Sequence, residues 1–538
     1  YRKLAMRVLG RPLHTGGGID SPRPASQRAA AFVLTAAMLI TLAAPAFAGT
    51  WYIENGDITV KAGETKGTNK VSQGANQEVE DTDTIITNQK TDTASSHTVT
   101  IETNGKNDKV EVTLKDVNIE ATGDKAAVSV TGEGDTNIKL DGDNALKSDI
   151  YRSGIYGSGS LTISGGENDS LTAQGGSGAN GISSSGSLTI SGGTVTANGD
   201  DGGHGIYSRG GVTISGGSTV TANGRSGTIS GGDGIRSDGG VTISGGTVNA
   251  TGGNGGTISG GDGIRSGGGL TVSDGTVTAK GGNGDSKDGY GGDGIRSGGV
   301  VTISGNTVNA AGGYGGKVGG YGICSFDRVA ISGGTVEAAG GNGSTGGGSG
   351  IYSSVIDLSG SLELTAKAGS PTGKALLQNG RELDLDTIKD KLGPGAKVTA
   401  TDANGETKQV SIPRPVEPEE PVIPEESSSS SDGGSSAPSA PASSLPGLTV
   451  TDKSGAVISY TSTQSGNTLT VCVGRFTASF RISLAALRQL RAEGIETITF
   501  QTVLCSTTLS VDELLAMGGE DAEAVLTHRL TDSSLTVG

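Results

Sequence analysis

The sequence has few of the residues that usually fill a large globular core. Aromatic residues make up 3% of its 538 residues, and there are only three cysteines. So few rings argue against a compact globule filled by large side chains, and three cysteines are too few for a disulfide scaffold. Since 32% of the residues are hydrophobic, a core has to be built from many small aliphatic side chains.

The chain is also short of positive charge and of long apolar runs. Its formal net charge is −16, and an acidic surface repels nucleic acid and anionic lipid, so we expect neither as a partner. One apolar run, residues 29–48, follows Arg23 and Arg28 and ends in AFA, a triplet with a small residue at its first and third positions. This pattern predicts a secretory signal cleaved after Ala48, and hence a secreted or cell-surface protein with no transmembrane span in the mature chain.

Motifs of catalysis and cofactor binding are missing as well. Beyond the signal region the histidines are His97, His204 and His528, each in a different part of the chain. No metal-ligand spacing, nucleophile elbow or phosphate loop with its lysine occurs. We therefore expect no catalytic residue and no cofactor.

Glycine, in contrast, is in large excess. Its 97 copies have no three-residue period, which excludes collagen and indicates many tight turns. The phrase GGDGIRS occurs at 231–237, 260–266 and 291–297. Aligned on the Gly-Ile of this phrase, the chain shows eight copies of a unit of about 28 residues. The repeat isoleucines are Ile155, Ile182, Ile206, Ile235, Ile264, Ile295, Ile323 and Ile351.

The repeated unit has the pattern of short strands. In GGVTISGGTVNA at 239–250, Val241, Ile243 and Val248 alternate with polar residues between glycine pairs. Three such strands in each unit predict a parallel β-solenoid, because one unit cannot bury its apolar face alone, whereas coils stacked ~4.8 Å apart form a continuous interior. A β-propeller is excluded because its blades need roughly 40 residues or more.

The composition changes in steps around the repeats. The predicted fold class is mainly β: a parallel β-solenoid followed by a small C-terminal α+β domain. In that last domain Ser510 is the expected N-cap of a helix, and a disulfide between Cys472 and Cys505 is left open. The predicted segments are 1–48 (signal region), 49–150 (N-terminal cap and irregular coils), 151–365 (regular repeats), 366–411 (C-terminal cap), 412–447 (Pro/Ser-rich linker) and 448–538 (α+β domain).

Three stretches carry a family resemblance: WYIENGDITV at 51–60, VEVTLKDVNIEA at 110–121, and the coils of the GIYS and LTISGGTVTA type. Over about residues 51–400 the chain resembles secreted Gram-positive proteins named for a carbohydrate-binding domain with right-handed β-helix repeats of the TISGG type. The segment SVDELLAMGGEDAEAVLTH is similar to tail domains of such proteins. The resemblance implies sugar binding at the surface, and it assigns no set of binding residues.

The residue after each repeat isoleucine is expected to face outward. In most coils it is aromatic or Arg, which suits a glycan ligand because rings stack on sugar rings and guanidinium groups donate hydrogen bonds to hydroxyls and carboxylates. The predicted ligand-binding residues are Tyr156, Tyr207, Arg236, Arg265, Arg296 and Tyr352.

Asp233, Asp262 and Asp293 stand two residues before the isoleucine of the repeated phrase. Carboxylates on successive coils repel by about 1 kcal/mol per neighbouring pair, and the arginines beside them offset this repulsion. We therefore expect an outward, compensated charge ladder. Calcium at the Asp column is an alternative that the adjacent arginines disfavour. The Asp/Arg pair also imitates the acid and base of a polysaccharide lyase, but it repeats identically and forms no single asymmetric site.

A second outward pattern resembles the regular face of ice-binding solenoids. Coil lengths of 24 to 31 residues and Glu337, which stands where Thr or Asn is expected, weaken this interpretation. The members of the pattern are Thr194-x-Thr196, Thr219-x-Thr221, Thr247-x-Asn249, Thr276-x-Thr278 and Thr307-x-Asn309.

These observations together predict an exported, adhesin-like, non-catalytic solenoid protein whose partner is a glycan, a polysaccharide or another surface macromolecule. The alternatives are a lyase-like β-helix enzyme, a structural stalk that binds no sugar, and an ice-binding protein.

Overall fold

A computed structural model describes residues 48–413 and 447–537, the second range with short gaps at 453–456, 459, 466, 476, 503–505, 518–521 and 529–532. The predicted signal run, apart from Ala48, and most of the predicted linker lie outside the described residues. The chain divides into two compact units, Tyr1–Pro418 and Glu419–Gly538.

The first unit is a parallel β-solenoid of about 13 turns, roughly 28 residues apart, which confirms the predicted fold class. Three strands in each regular coil stack on the corresponding strands of the next coil, so the solenoid has three faces, each of which is a parallel β-sheet. We call them face 1, face 2 and face 3, in the order in which the chain passes through them after each repeat isoleucine.

Face 1 contains the repeat isoleucines. Its strands are Ile58–Ala62, Val99–Thr103, Val128–Gly132, Ile155–Gly157, Ile182–Ser184, Ile206–Ser208, Ile235–Ser237, Ile264–Ser266, Ile295–Ser297, Leu376–Gln378 and the first parts of Ile323–Ala339 and Ile351–Lys367.

Face 2 follows after a tight corner. Its strands are Thr50–Tyr52, Ile85–Thr87, Lys109–Lys115, Asp135–Asp141, Ser160–Ser164, Leu188–Ile190, Val212–Ile214, Val301–Ile303 and parts of Val241–Thr251, Leu270–Lys280, Ile323–Ala339 and Ile351–Lys367.

Face 3 closes each coil, and the chain then returns to face 1 through a glycine-rich corner. Its strands are Asn118–Glu120, Asp143–Lys147, Ser170–Gln174, Thr194–Asn198, Thr219–Asn223, Thr307–Ala311, Lys397–Thr401 and the later parts of the four long strands that also serve face 2.

The interior consists of aliphatic ladders. All eight repeat isoleucines pair in register across face 1 and are fully buried, as predicted. Leu161 and Ile163 on face 2, and Leu171 and Ala173 on face 3, belong to equivalent buried columns. Each Ile or Leu buried in this way contributes about 1.5–3 kcal/mol of hydrophobic free energy, so the stack needs no large rings.

The glycines of the repeated phrase permit close approach between coils. A Cβ atom on Gly232 would lie 2.0 Å from the carbonyl oxygen of Gly203 in the preceding coil, and one on Gly261 would lie 2.0 Å from that of Gly232. Real Cβ atoms do not approach backbone so closely, which explains the glycine at this position. The final serine is buried, and in the first copy the Ser237 hydroxyl donates to the carbonyl of Gly210 (2.7 Å).

Both ends of the solenoid carry antiparallel strands, which end the parallel stacking. At the N-terminal end Ile58–Ala62 pairs with Asn69–Gln73, which pairs with Asn76–Asp81. The Trp51 indole donates to Asp81 Oδ2 (2.7 Å), and a 3₁₀ helix covers Ile53–Asn55.

The C-terminal end of the solenoid contains two such hairpins, Leu376–Gln378 with Arg381–Glu382 and Lys397–Thr401 with Thr407–Ser411. A 3₁₀ helix over Leu385–Lys391 lies between them.

The second unit has the α+β character predicted for it. Its two helices, Leu484–Ala492 and Val511–Met517, begin after Ser483 and Ser510, whose hydroxyls accept hydrogen bonds from Ala486 N (3.2 Å) and Glu513 N (3.4 Å). The Ser510 cap was predicted. One four-stranded sheet contains Leu448–Thr451, Ala478–Ser483, Glu523–His528 and Ser533–Val537. A second four-stranded sheet contains Thr461–Ser465, Thr468–Cys472, Thr497–Gln501 and Ser506–Ser510.

Cys505 falls in one of the gaps, so its pairing with Cys472 stays a prediction. In the part of the chain that the structure describes, no helix has the length and apolar character needed to cross a membrane.

Candidate functional site

The six predicted ligand-binding residues lie in one column on the outside of face 1. Strand pairing aligns them one above another along the solenoid, and we call this column the face 1 strip. In coil order it reads Tyr156, Ser183, Tyr207, Arg236, Arg265, Arg296, Cys324 and Tyr352.

Exposure along the strip depends on side-chain length. The side chains of Arg236, Arg265 and Arg296 are 34%, 43% and 35% accessible. Ser183 and Cys324 are buried, so the expectation that every residue in this position faces solvent is wrong for them. A short side chain between long neighbours is covered by them, and only the aromatic residues and the arginines reach solvent.

Aromatic rings lie at both ends of the run of three arginines in the strip. The guanidinium carbon of Arg236 lies 6.0 Å from the Tyr207 ring centroid, and that of Arg296 lies 5.1 Å from the Phe326 ring centroid. The rings of Tyr321 and Tyr352 are stacked, with centroids 5.0 Å apart. These contacts hold the rings and the cations side by side.

Phe326 is a candidate site residue that was not predicted from the sequence. It is 54% exposed and lies against Arg296. A signal was present in the sequence, because the third residue after the repeat isoleucine is Gly, Ser, Asp or Arg in every other coil. An aromatic ring at this position breaks that pattern.

The expectation that the carboxylates form an outward column is wrong. Asp233, Asp262 and Asp293 are only 4%, 5% and 3% exposed. Their side chains are directed along the solenoid, because each Oδ1 accepts a hydrogen bond from the backbone N–H of the next coil. The donors are the amides of Asp262, Asp293 and Tyr321, each at 2.7 Å.

The same column continues with neutral residues. Asn180 Oδ1 accepts from the backbone N–H of His204 (2.9 Å), and His204 Nδ1 accepts from that of Asp233 (2.7 Å). Burial, together with the charges of Arg236 and Arg265, lowers the pKa of His204 to about 4. The column, which we call the acceptor ladder, therefore needs only an acceptor atom in each coil.

Each carboxyl of the acceptor ladder also faces an arginine of the face 1 strip. The Arg Nη1 to Asp Oδ2 distances are 3.7, 3.8 and 3.3 Å for the pairs at 233/236, 262/265 and 293/296. Burial nevertheless raises the pKa of all three acids, and it raises those of Asp262 and Asp293 to about 7 with the help of the preceding carboxylate. Desolvation thus outweighs the attraction of the arginines, and Asp262 and Asp293 can take up protons near neutral pH.

The alternative of calcium at the Asp column finds no arranged ligand set. Across the described ranges, no group of three or more His, Cys, Asp or Glu residues is placed to hold a metal ion. One oxygen of each acid is used by a backbone amide, and the other faces a guanidinium.

The threonine pattern lies on the outside of face 3. Its columns pair without a register shift from Thr194 through Thr219 to Thr307, and the neighbouring column reaches Glu337. Differences in coil length are taken up in the glycine-rich corners, where single bridges such as Gly227 to Gly255 continue the stack. The face is regular over five coils and has no aromatic ring.

A depression elsewhere on the solenoid does not coincide with the strip. It has a volume of about 520 Å³ and is lined by residues that include Lys147, Asp149, Ile150 and Gln174. None of the predicted site residues lines it. The depression and the face 1 strip are therefore separate surfaces.

Comparison with known proteins adds one finding. A protein-family model described as "Carbohydrate-binding domain-containing protein" matches residues 91–347. The matched range contains the acceptor ladder and every residue of the face 1 strip except Tyr352. No curated protein and no solved structure matches the chain. Together with the solenoid, the family match supports a carbohydrate-binding β-helix protein.

Proposed function

We propose that this chain is an exported, non-catalytic, adhesin-like protein that binds glycans along the face 1 strip. The observation that carries the proposal is the column of rings and guanidinium groups on adjacent coils, within the range that matches a carbohydrate-binding family. The apolar run at 29–48 supports export.

The strip has the chemistry and the length for a chain of several sugars. Tyrosine and phenylalanine rings offer apolar faces for sugar rings, and the arginines offer several N–H donors each. From Tyr207 to Tyr352 the strip covers five coil steps, or about 24 Å at ~4.8 Å per step. A polysaccharide that runs along the solenoid axis can contact every coil.

Two alternatives, a lyase-like enzyme and a structural stalk, differ from this proposal in whether a glycan is cleaved and whether one is bound at all. A lyase-like enzyme needs one asymmetric set of acid and base, whereas the Asp/Arg pair repeats in three coils. A structural stalk needs no ligand. A glycan that binds without being cleaved supports the proposal over both.

The test is a glycan array with the full chain and two matched triple variants. One variant replaces Arg236, Arg265 and Arg296 by Gln on face 1. The other replaces threonines of the same coils on face 3 by Ala, namely Thr247, Thr276 and Thr307. We expect the face 1 variant to lose binding and the face 3 variant to keep it.

Other results would contradict the proposal. Equal loss in both variants would remove the strip as the site, and no binding to any glycan would favour the structural stalk. Shortened products with unsaturated ends after incubation with a bound polysaccharide would show a lyase.

A further inference from the structure

The acceptor ladder raises a chemical question about its three acids. Accepting one backbone N–H needs only a neutral oxygen or nitrogen, and Asn180 and His204 do this in the same column. In a neighbouring corner column, Asn254 and Asn283 accept the amides of Asn283 and Tyr314 in the same way. A buried carboxylate costs more than a buried amide, so the ladder alone does not explain Asp.

The acids occur only where the strip contains arginine. Coils with Asn180 or His204 in the ladder have Ser183 or Tyr207 in the strip, and the three Asp coils have the three Arg. The Arg to Asp distances of 3.3–3.8 Å show that each acid lies directly behind one guanidinium. The acid is therefore matched to the cation, and its charge decides whether that cation is neutralised from within. Arg236 also faces the exposed carboxylate of Asp238 on the outside (Nε to Oδ1 3.8 Å).

One carboxyl oxygen is left without a hydrogen bond. Asp233 Oδ2 is buried and has no hydrogen-bond donor, although Arg236 and the His204 ring lie at 3.7 and 3.6 Å. An ionised oxygen in this position is poorly solvated, whereas a protonated one is not charged. The site therefore favours proton uptake as soon as the arginine obtains another anion.

We propose that the face 1 strip binds a glycan with carboxylate or sulfate groups and that binding is proton-linked, each ligand anion replacing a buried Asp carboxylate as the partner of an arginine while that Asp takes up a proton from solvent. The inference rests on the proposed glycan binding and adds its ligand class and its regulation. The only bond that forms is the O–H bond of the protonated Asp, with its proton taken from solvent, and this proton balances the negative charge brought by the ligand.

Among the ionisable groups around the ladder, Asp262 and Asp293, whose pKa values are raised to about 7, titrate between pH 5 and 8. Burial also raises the pKa of Asp233. His204 has its pKa lowered to about 4, so it stays neutral, and burial raises the pKa values of Tyr321 and Cys324 away from this window. The charged and titratable groups that face the three carboxyls are Arg236, Arg265, Arg296, His204, Tyr321, Cys324 and the carboxyls themselves.

The experiment measures binding of the full chain to dextran sulfate and to uncharged dextran between pH 5.5 and pH 8. Sulfate does not titrate in this range, so a pH effect has to come from the protein. We expect dextran sulfate to bind more tightly as the pH falls, by about tenfold per pH unit for each proton linked. Calorimetry in two buffers with different ionisation enthalpies should show proton uptake.

The matched variant is D233N/D262N/D293N, which keeps an acceptor oxygen in each coil as Asn180 does. It should bind dextran sulfate at pH 8 as tightly as the unchanged protein binds it at pH 5.5, with no proton uptake. A pH slope that persists in this variant would assign the effect to general loss of negative charge and overturn the proposal.

The remaining outcomes separate this inference from the function it rests on. If array glycans bind at the strip but dextran sulfate binds with no pH dependence or proton uptake, proton linkage is wrong and glycan binding stands. If dextran sulfate does not bind at all, the anionic ligand class is wrong. If no glycan binds the chain on the array, both proposals fall.

Discussion

The raised pKa values of the buried acids predict how the free energy of unfolding depends on pH. Asp262 has an ordinary pKa of 3.8 and a pKa of about 7 in the folded protein, chiefly because of desolvation. The difference of about 3 between these two pKa values corresponds to about 4 kcal/mol. Because the folded pKa is raised, the folded state binds the proton more tightly than the unfolded state does. The free-energy cost of keeping Asp262 ionised in the folded protein is therefore absent below pH 3.8 and complete above pH 7.

The substitution D262N removes the titrating group and keeps the acceptor for the Asp293 amide. We expect the variant to be about as stable as the unchanged protein at pH 4. At pH 8 we expect it to be more stable by up to about 4 kcal/mol, as an upper bound. The Arg265 side chain, which is 43% accessible, can be solvated when it loses its partner.

The assay is urea unfolding of the full chain at pH 4, 6 and 8, followed by far-ultraviolet circular dichroism. D285N is the control, because Asp285 is an exposed acid in a corner of the next coil. The reasoning is refuted if D262N is less stable than the unchanged protein at pH 8, since the Arg265 pair would then outweigh desolvation. It is also refuted if the difference does not change with pH.

Two further substitutions test the packing. I264D should lower the free energy of unfolding by at least about 3 kcal/mol, because the buried side chain is lost and a charge enters the interior. The control I264V should lower it by about 1 kcal/mol. Equal melting temperatures for the two variants would place Ile264 outside the core. G232A should destabilise the folded protein by about 1–3 kcal/mol, because its Cβ would overlap a carbonyl oxygen of the preceding coil. G211A should have little effect, because its Cβ would lie 3.4 Å from the nearest carbonyl oxygen. Similar melting temperatures for the two variants would contradict close approach between coils as the reason for Gly232.

The solenoid could be predicted from the sequence because its core depends on a period of two. Alternation at Val241, Ile243 and Val248 fixes which side chains point inward, and the spacing of the repeat isoleucines fixes how coils align. Outward residues on face 1 follow from the same rule. Strand periodicity therefore located both the core and the column of Tyr and Arg.

The acids were misplaced because they lie in corners, where no period applies. The sequence shows that Asp262 stands two residues before Ile264, but not whether its carboxyl points outward or along the axis. The backbone amide of the next coil decides this, and that contact spans 31 residues between Asp262 and Asp293. Asn180 in the equivalent position was a hint, since asparagine is a neutral acceptor.

The threonine face shows a related limit. Unequal coil lengths suggested an irregular face, yet the columns from Thr194 to Thr307 pair without a shift. Length differences between coils do not reveal which segment absorbs them. Here the glycine-rich corners absorb them, and the strands keep their register.

The most direct test of glycan binding at the face 1 strip is hydroxyl-radical footprinting of the full chain with and without a glycan that binds on the array. Tyr207, Phe326 and Tyr352 should be protected from oxidation by the bound glycan. Tyr290 and Tyr314, which are exposed in the corner segments, should be oxidised equally in both samples. Protection of Tyr290 and Tyr314 with no change at Tyr207, Phe326 and Tyr352 would contradict the proposed site.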